Sequence, residues 1–209
     1  MARLSRRTFI KSSALASAAF SFAISGTRSS GQIIGANETI NIGVAGIRGR
    51  GSNHIDAFCA MPNVRVTYLI DPDSRLFEGR IKQVETRGKN TPKCVQDVRK
   101  ALDDKDLHGI SIATCNHWHS LMTIWACQAG KDVYVEKPCS HNVFEGRKCV
   151  EAARKYGRIV QHGTQSRSSA GWARQVAAIA SGKYGKLLVS KGYSSKPRWT
   201  IGFKPVKDP

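Results

Sequence analysis

Three short stretches of this chain carry residue types at spacings that can do chemistry. The run Lys131-Asp-Val-Tyr-Val-Glu136-Lys137-Pro138 alternates like a strand and ends in a carboxylate, an ammonium and a proline. A lysine at such a strand end can lower the pKa of a bound hydroxyl as a neighbouring cation. The proline restricts the turn and is compatible with a cis bond. Taken alone, the tripeptide fits a charged surface turn equally well.

The second stretch is Gly43-Val-Ala-Gly46-Ile-Arg48-Gly49-Arg50-Gly51. Glycines at a strand-to-helix turn let main-chain N–H groups approach a pyrophosphate, as in the G-x-G-x-x-G fingerprint. Counted from Gly46, the pattern finds Gly46 and Gly51 but meets Arg48 at the middle position, so Gly49 is expected to take over the close approach. Asp71 stands 25 residues after Gly46, at the end of the next apolar run. An acid there accepts ribose hydroxyls and favours NAD. Arg48, Arg50 and Arg75 are near enough in sequence to hold a 2′-phosphate, which keeps NADP open. A plain N-cap role for Asp71, ahead of the helix after Pro72, fits either nucleotide.

The third stretch is Thr114-Cys-Asn116-His-Trp-His119. Cys115, His117 and His119 are metal-ligand types at alternate positions, but no carboxylate or distant ligand completes a set, so no metal is expected. The simpler reading is a helix start beside a cofactor, with His119 facing its nicotinamide or ribose.

These stretches need a scaffold, and the periodicity supplies one. Strands are expected at 39–45, 64–70, 93–95, 110–114, 133–135 and 159–161, with helical stretches between them, notably 118–129 and 143–156. Strands alternating with helices imply parallel pairing by right-handed crossovers, a doubly wound α/β sheet. The Lys137 and Thr114–His119 stretches then fall at carboxyl ends of strands, where open sheets bind ligands.

Composition bounds the remaining possibilities. The 209 residues are 41% hydrophobic and 23% charged, which excludes fibrous and wholly disordered classes. None of the 6 cysteines forms a C-x-x-C pair. The net charge of +18 sits mostly at the ends. No nucleic-acid-binding signature accompanies it, so no nucleic-acid partner is expected. Arg6-Arg7 ahead of an Ala/Ser-rich apolar segment reads as a twin-arginine export signal over 1–25, which implies the export machinery as a partner and a periplasmic or exported protein. A linker follows over 26–38.

Residues 39–165 resemble the cofactor domain of the glucose–fructose oxidoreductase / inositol dehydrogenase (Gfo/Idh/MocA) family. The resemblance rests on 42–51, 113–119, 130–138 and Gln161-His-Gly-Thr-Gln165. It implies a Rossmann domain and hydride transfer between NAD(P) and a sugar or polyol. Lys137 would be the catalytic residue, contacting the substrate hydroxyl and the nicotinamide ribose. Glu136 and His119 would line the nucleotide pocket, and the same stretches offer Thr114, Asn116 and Gln165 as further nucleotide contacts. In that family the base is usually a histidine in a second domain, whereas no histidine follows His162 here. The segment 166–209 is therefore expected to begin a truncated substrate and oligomerisation domain, with a helix over 168–181 and the start of a strand over 187–193. A non-catalytic nucleotide-binding remnant and NAD-assisted glycoside cleavage are the alternative functions.

Overall fold

The computed structural model describes residues 39–193. The expected export signal and linker lie outside the described residues. Strand β1 (Ile40–Ala45) leads through the glycine turn into α1 (Arg50–Cys59), and β2 (Val64–Ile70) leads through a 3-10 turn at Ser74–Leu76 into α2 (Phe77–Gly88). Then come β3 (Lys93–Val95), α3 (Val98–Leu102), β4 (Gly109–Ile112), a 3-10 turn at Asn116–Trp118, α4 (His119–Gln128), β5 (Asp132–Glu136), α5 (Val143–Tyr156) and β6 (Val160–Gly163). The strands form one sheet in the order β3-β2-β1-β4-β5-β6. This is the doubly wound Rossmann order, with the direction of winding reversing between β1 and β4.

Two-residue periodicity, interrupted in β2 between Val66 and Tyr68 by a register shift against β1, builds both faces of the sheet. Val44, Val66 and Leu69 pack with Ile47, Ile55 and Val84 under α1 and α2. Their neighbours Ala45, Tyr68 and Ile70 point the other way and join Ile110, Ile112, Val133 and Val135 beneath α3, α4 and α5. A sheet buried on both faces needs near-continuous apolar strands, which the sequence provides. Full burial of residues such as Leu69 or Ile112 contributes about 2 kcal/mol each. Helix α5 is delimited by its own residues: the Asn142 side chain accepts from the Glu145 N–H at one end, and Gly157 takes the left-handed conformation at the other.

The described chain divides into two compact units at His162/Gly163. In the second, a 3-10 turn at Gln165–Ser168 precedes α6 (Ala170–Ala180), which carries Trp172, Val176 and Ile179 along one side. The strand expected to begin at 187–193 does not form. A strand exists only through hydrogen bonds to a neighbour, and no described strand pairs with this segment.

Candidate functional site

The winding reversal leaves a crevice beyond the carboxyl ends of β1 and β4. The glycine turn forms its floor. Gly46 has φ +80°, and a Cβ there would lie 2.6 Å from the main chain of Ala113. A Cβ on Gly51 would overlap the Gly46 carbonyl oxygen. Both positions therefore require glycine for close packing of turn, helix and neighbouring strand. Gly49 differs, since a Cβ there would meet nothing within 4 Å. No side chain caps α1, and its first turn holds no acidic residue, so the N–H groups at its start suit a phosphate. Arg80 braces the turn from behind, donating from Nε to the Ile47 carbonyl at 2.7 Å and from Nη2 to the Arg48 carbonyl at 2.8 Å.

On the β2 side, Asp71 is 9% exposed and each carboxylate oxygen accepts one main-chain N–H, from Ile47 and from Asp73, both at 3.0 Å. It is not an N-cap. That role belongs to Asp73, which accepts from the Arg75 N–H. Asp73 also binds the Arg75 guanidinium at 2.7 and 3.0 Å and Arg48 at 3.4 Å. The Arg75 hydrogen bond holds the Asp73 carboxyl below its ordinary pKa. Next to this edge opens a cavity of about 810 Å³, lined by Gly46, Arg48, Gly49 and Asp71 and walled by Thr114 and Trp118. Leu76, Met122 and Trp125 add an apolar lining, with the Trp118 and Trp125 rings 6.3 Å apart. A mostly apolar cleft with a few convergent polar groups is the usual form of a cofactor site.

The β4/β5 side is organised around Glu136, which is 5% exposed. Its Oε1 accepts from Arg50 Nε at 2.8 Å and contacts His54 Nε2 at 3.0 Å. The Glu136 hydrogen bond raises the Arg50 pKa. His54 Nδ1 in turn lies 2.8 Å from Ser111 Oγ on β4. Burial pushes the His54 pKa below its ordinary value, and the contact with Glu136 only partly offsets this. Lys137 follows on the surface, and its bond to Pro138 is cis.

Two expected residues, Arg50 and His119, are engaged differently from what the sequence suggested. Arg50, grouped with Arg48 and Arg75 as a potential 2′-phosphate ligand, instead turns away from Asp71 toward β5. His119 is 1% exposed, with Nδ1 2.6 Å from the Pro138 carbonyl and Nε2 3.1 Å from the Thr114 carbonyl. It ties two strand-end turns together rather than facing into the crevice. Asn116 sits exposed in the 3-10 turn, and Gln165 opens the 3-10 turn of the second unit. Cys115 and His117 are exposed while His119 is buried, and no group of three metal-ligand side chains gathers among the described residues. All six cysteines are free thiols.

Sequence reasoning missed His54, Ser111, Arg80 and the tryptophan wall. His54 follows Gly51 by three residues, which places it one turn into α1 and is the only sequence signal for it.

Comparison with known proteins agrees with this geometry. A family profile described as an oxidoreductase family with an NAD-binding Rossmann fold matches residues 40–164. A glycosyl hydrolase family 109 protein of Shewanella pealeana is 25% identical over 180 residues, 82% of this chain and 39% of the relative. The scyllo-inositol 2-dehydrogenase (NAD(+)) of Bacillus subtilis is 28% identical over 135 residues, 65% of this chain and 38% of the relative. The crystal structure of myo-inositol 2-dehydrogenase from Lactobacillus plantarum superposes with a TM-score of 0.66 at 19% identity, covering 72% of this chain and 44% of that one. The chain thus spans about two fifths of the length of the curated relatives it matches.

Proposed function

The chain belongs to the Gfo/Idh/MocA oxidoreductase family, with its NAD-binding Rossmann fold, and from that premise we propose that it binds NAD(H) across the crevice and serves hydride transfer to or from a hydroxyl-bearing carbon of a sugar or polyol. The dinucleotide, when bound, supplies the hydride chemistry. The chain's residues do the rest. The glycine turn and the start of α1 offer N–H groups to the pyrophosphate. Asp71, with a lone pair left on each oxygen, accepts from the adenosine ribose. Lys137 stands beside the reacting hydroxyl as a cation and eases loss of its proton to a separate base.

The observation that carries NAD over NADP is the state of the three arginines. Arg48 and Arg75 are paired with Asp73, and Arg50 is held by Glu136. A 2′-phosphate would meet the Asp71 and Asp73 carboxylates before an unpaired cation. Titration of the chain with NADH and NADPH, followed by quenching of tryptophan emission, tests this. NADH is expected to bind at least about tenfold tighter, a difference of about 1.4 kcal/mol, and Asp71→Ala to remove the preference. Equal affinities in the unsubstituted chain would overturn the assignment.

The Shewanella relative's name favours a second reading, glycoside cleavage assisted by a transient oxidation. Release of a leaving sugar without net accumulation of NADH would distinguish it from simple dehydrogenation. Arg6-Arg7 and the segment after them support export by the twin-arginine route. Loss of export when both arginines become lysine would test that part.

A further inference from the structure

We infer that His54 is a positioning residue that keeps the glycine turn and the Lys137-bearing strand end in one register through the chain Ser111–His54–Glu136–Arg50, an inference that rests on the nucleotide reading above. The four side chains come from β4, α1 and β5. Ser111 is 0% exposed, His54 7% and Glu136 5%, and only Arg50 reaches the surface. Their order resembles a hydrolytic Ser-His-carboxylate triad, but no substrate can reach a wholly buried Ser111 hydroxyl. The chain acts as a truss.

Its chemistry fixes its direction. The Glu136 carboxylate only accepts, so His54 Nε2 carries the proton. Nδ1 is then an acceptor, and Ser111 Oγ donates to it at 2.8 Å. A neutral ring satisfies both contacts in a single tautomer, and the Tyr134 ring packs edge-on against it at 5.4 Å. With Glu136 oriented this way, the same Oε1 holds Arg50, the first residue of α1. Lys137 is the next residue along the chain from Glu136. One carboxylate therefore sets the distance between the helix start that meets the pyrophosphate and the backbone that presents the lysine. Asp71 lies on the opposite side of β1 and takes no part.

That asymmetry supplies the test. In the full 209-residue chain, His54→Leu deletes both hydrogen bonds. It is expected to weaken NADH binding about tenfold while adenosine, which carries no phosphate and meets only the β2 side, changes by less than about twofold. His54→Gln, whose amide can donate to Glu136 and accept from Ser111, is expected to recover most of the NADH affinity. Unchanged NADH affinity in His54→Leu would overturn the inference, as would equal losses for NADH and adenosine, which mark general unfolding. Should His54→Leu not fold, Ser111→Ala removes only the hydroxyl, and the same split between the ligands is expected at about threefold. Its absence there overturns the inference too. An unsubstituted chain that binds neither ligand would defeat the nucleotide reading itself, a different outcome from one that binds NADH and is indifferent to position 54.

Discussion

Arg50 Nε lies 2.8 Å from Glu136 Oε1, joining residues 86 apart in the chain across the full width of β4. This contact turns a basic side chain of the glycine turn away from the β2 edge and makes the two halves of the crevice electrostatically unlike. Glu136→Ala leaves the buried His54 N–H without its acceptor. An expected cost of about 2 kcal/mol follows from one unsatisfied buried donor, readable as a lowered Tm or urea midpoint.

Gly46 and Gly49 of the turn should separate cleanly. Gly46→Ala forces a Cβ into the left-handed region and against Ala113, and is expected to cost about 2 kcal/mol or more. Gly49→Ala meets nothing and should leave stability within about 0.5 kcal/mol. If Gly49 is where the pyrophosphate comes close, the same variant weakens NADH binding without moving the unfolding curve, and paired melting and titration would show it.

Asp73 governs the sign of the β2 edge. Asp73→Ala releases Arg48 and Arg75, and NADPH affinity is expected to rise about three- to tenfold, more at low salt. NADH affinity should change little. The loss of the cap on the Ser74–Leu76 turn should lower stability slightly, measured separately by denaturation.

His54 makes stability depend on pH. Burial lowers its pKa in the folded chain, with Arg50 acting in the same direction and Glu136 opposing. The unfolded chain therefore takes up the proton first as pH falls below about 6.5. Stability contributed by the neutral ring is complete above that value and declines as pH falls toward the lowered folded pKa. Tm should drop between pH 7.5 and 5.5 in the unsubstituted chain, and less in His54→Gln.

The sheet was legible in the sequence because burial on both faces writes itself into consecutive apolar strands, and the close packing of Gly51 on Gly46 and the strand-end place of Asp71 were legible because both are local facts. What stayed hidden depends on which distant side chains the topology brings together. His54 and Ser111 are separated by 57 residues, and Arg80 reaches back 33 to Ile47. His119 was correctly placed at a helix start, yet periodicity does not say which way a ring turns once two carbonyls compete for it. The apolar run at 187–193 carries strand propensity, but propensity without a neighbouring edge forms no ladder.

Arg80 has one more effect. By donating to the Ile47 and Arg48 carbonyls it satisfies those oxygens and adds a guanidinium charge beside the turn, so neither carbonyl is left to repel an incoming anion unopposed. A phosphate arriving there meets a surface already shaped for it, and little of its interaction energy is lost to immobilising backbone.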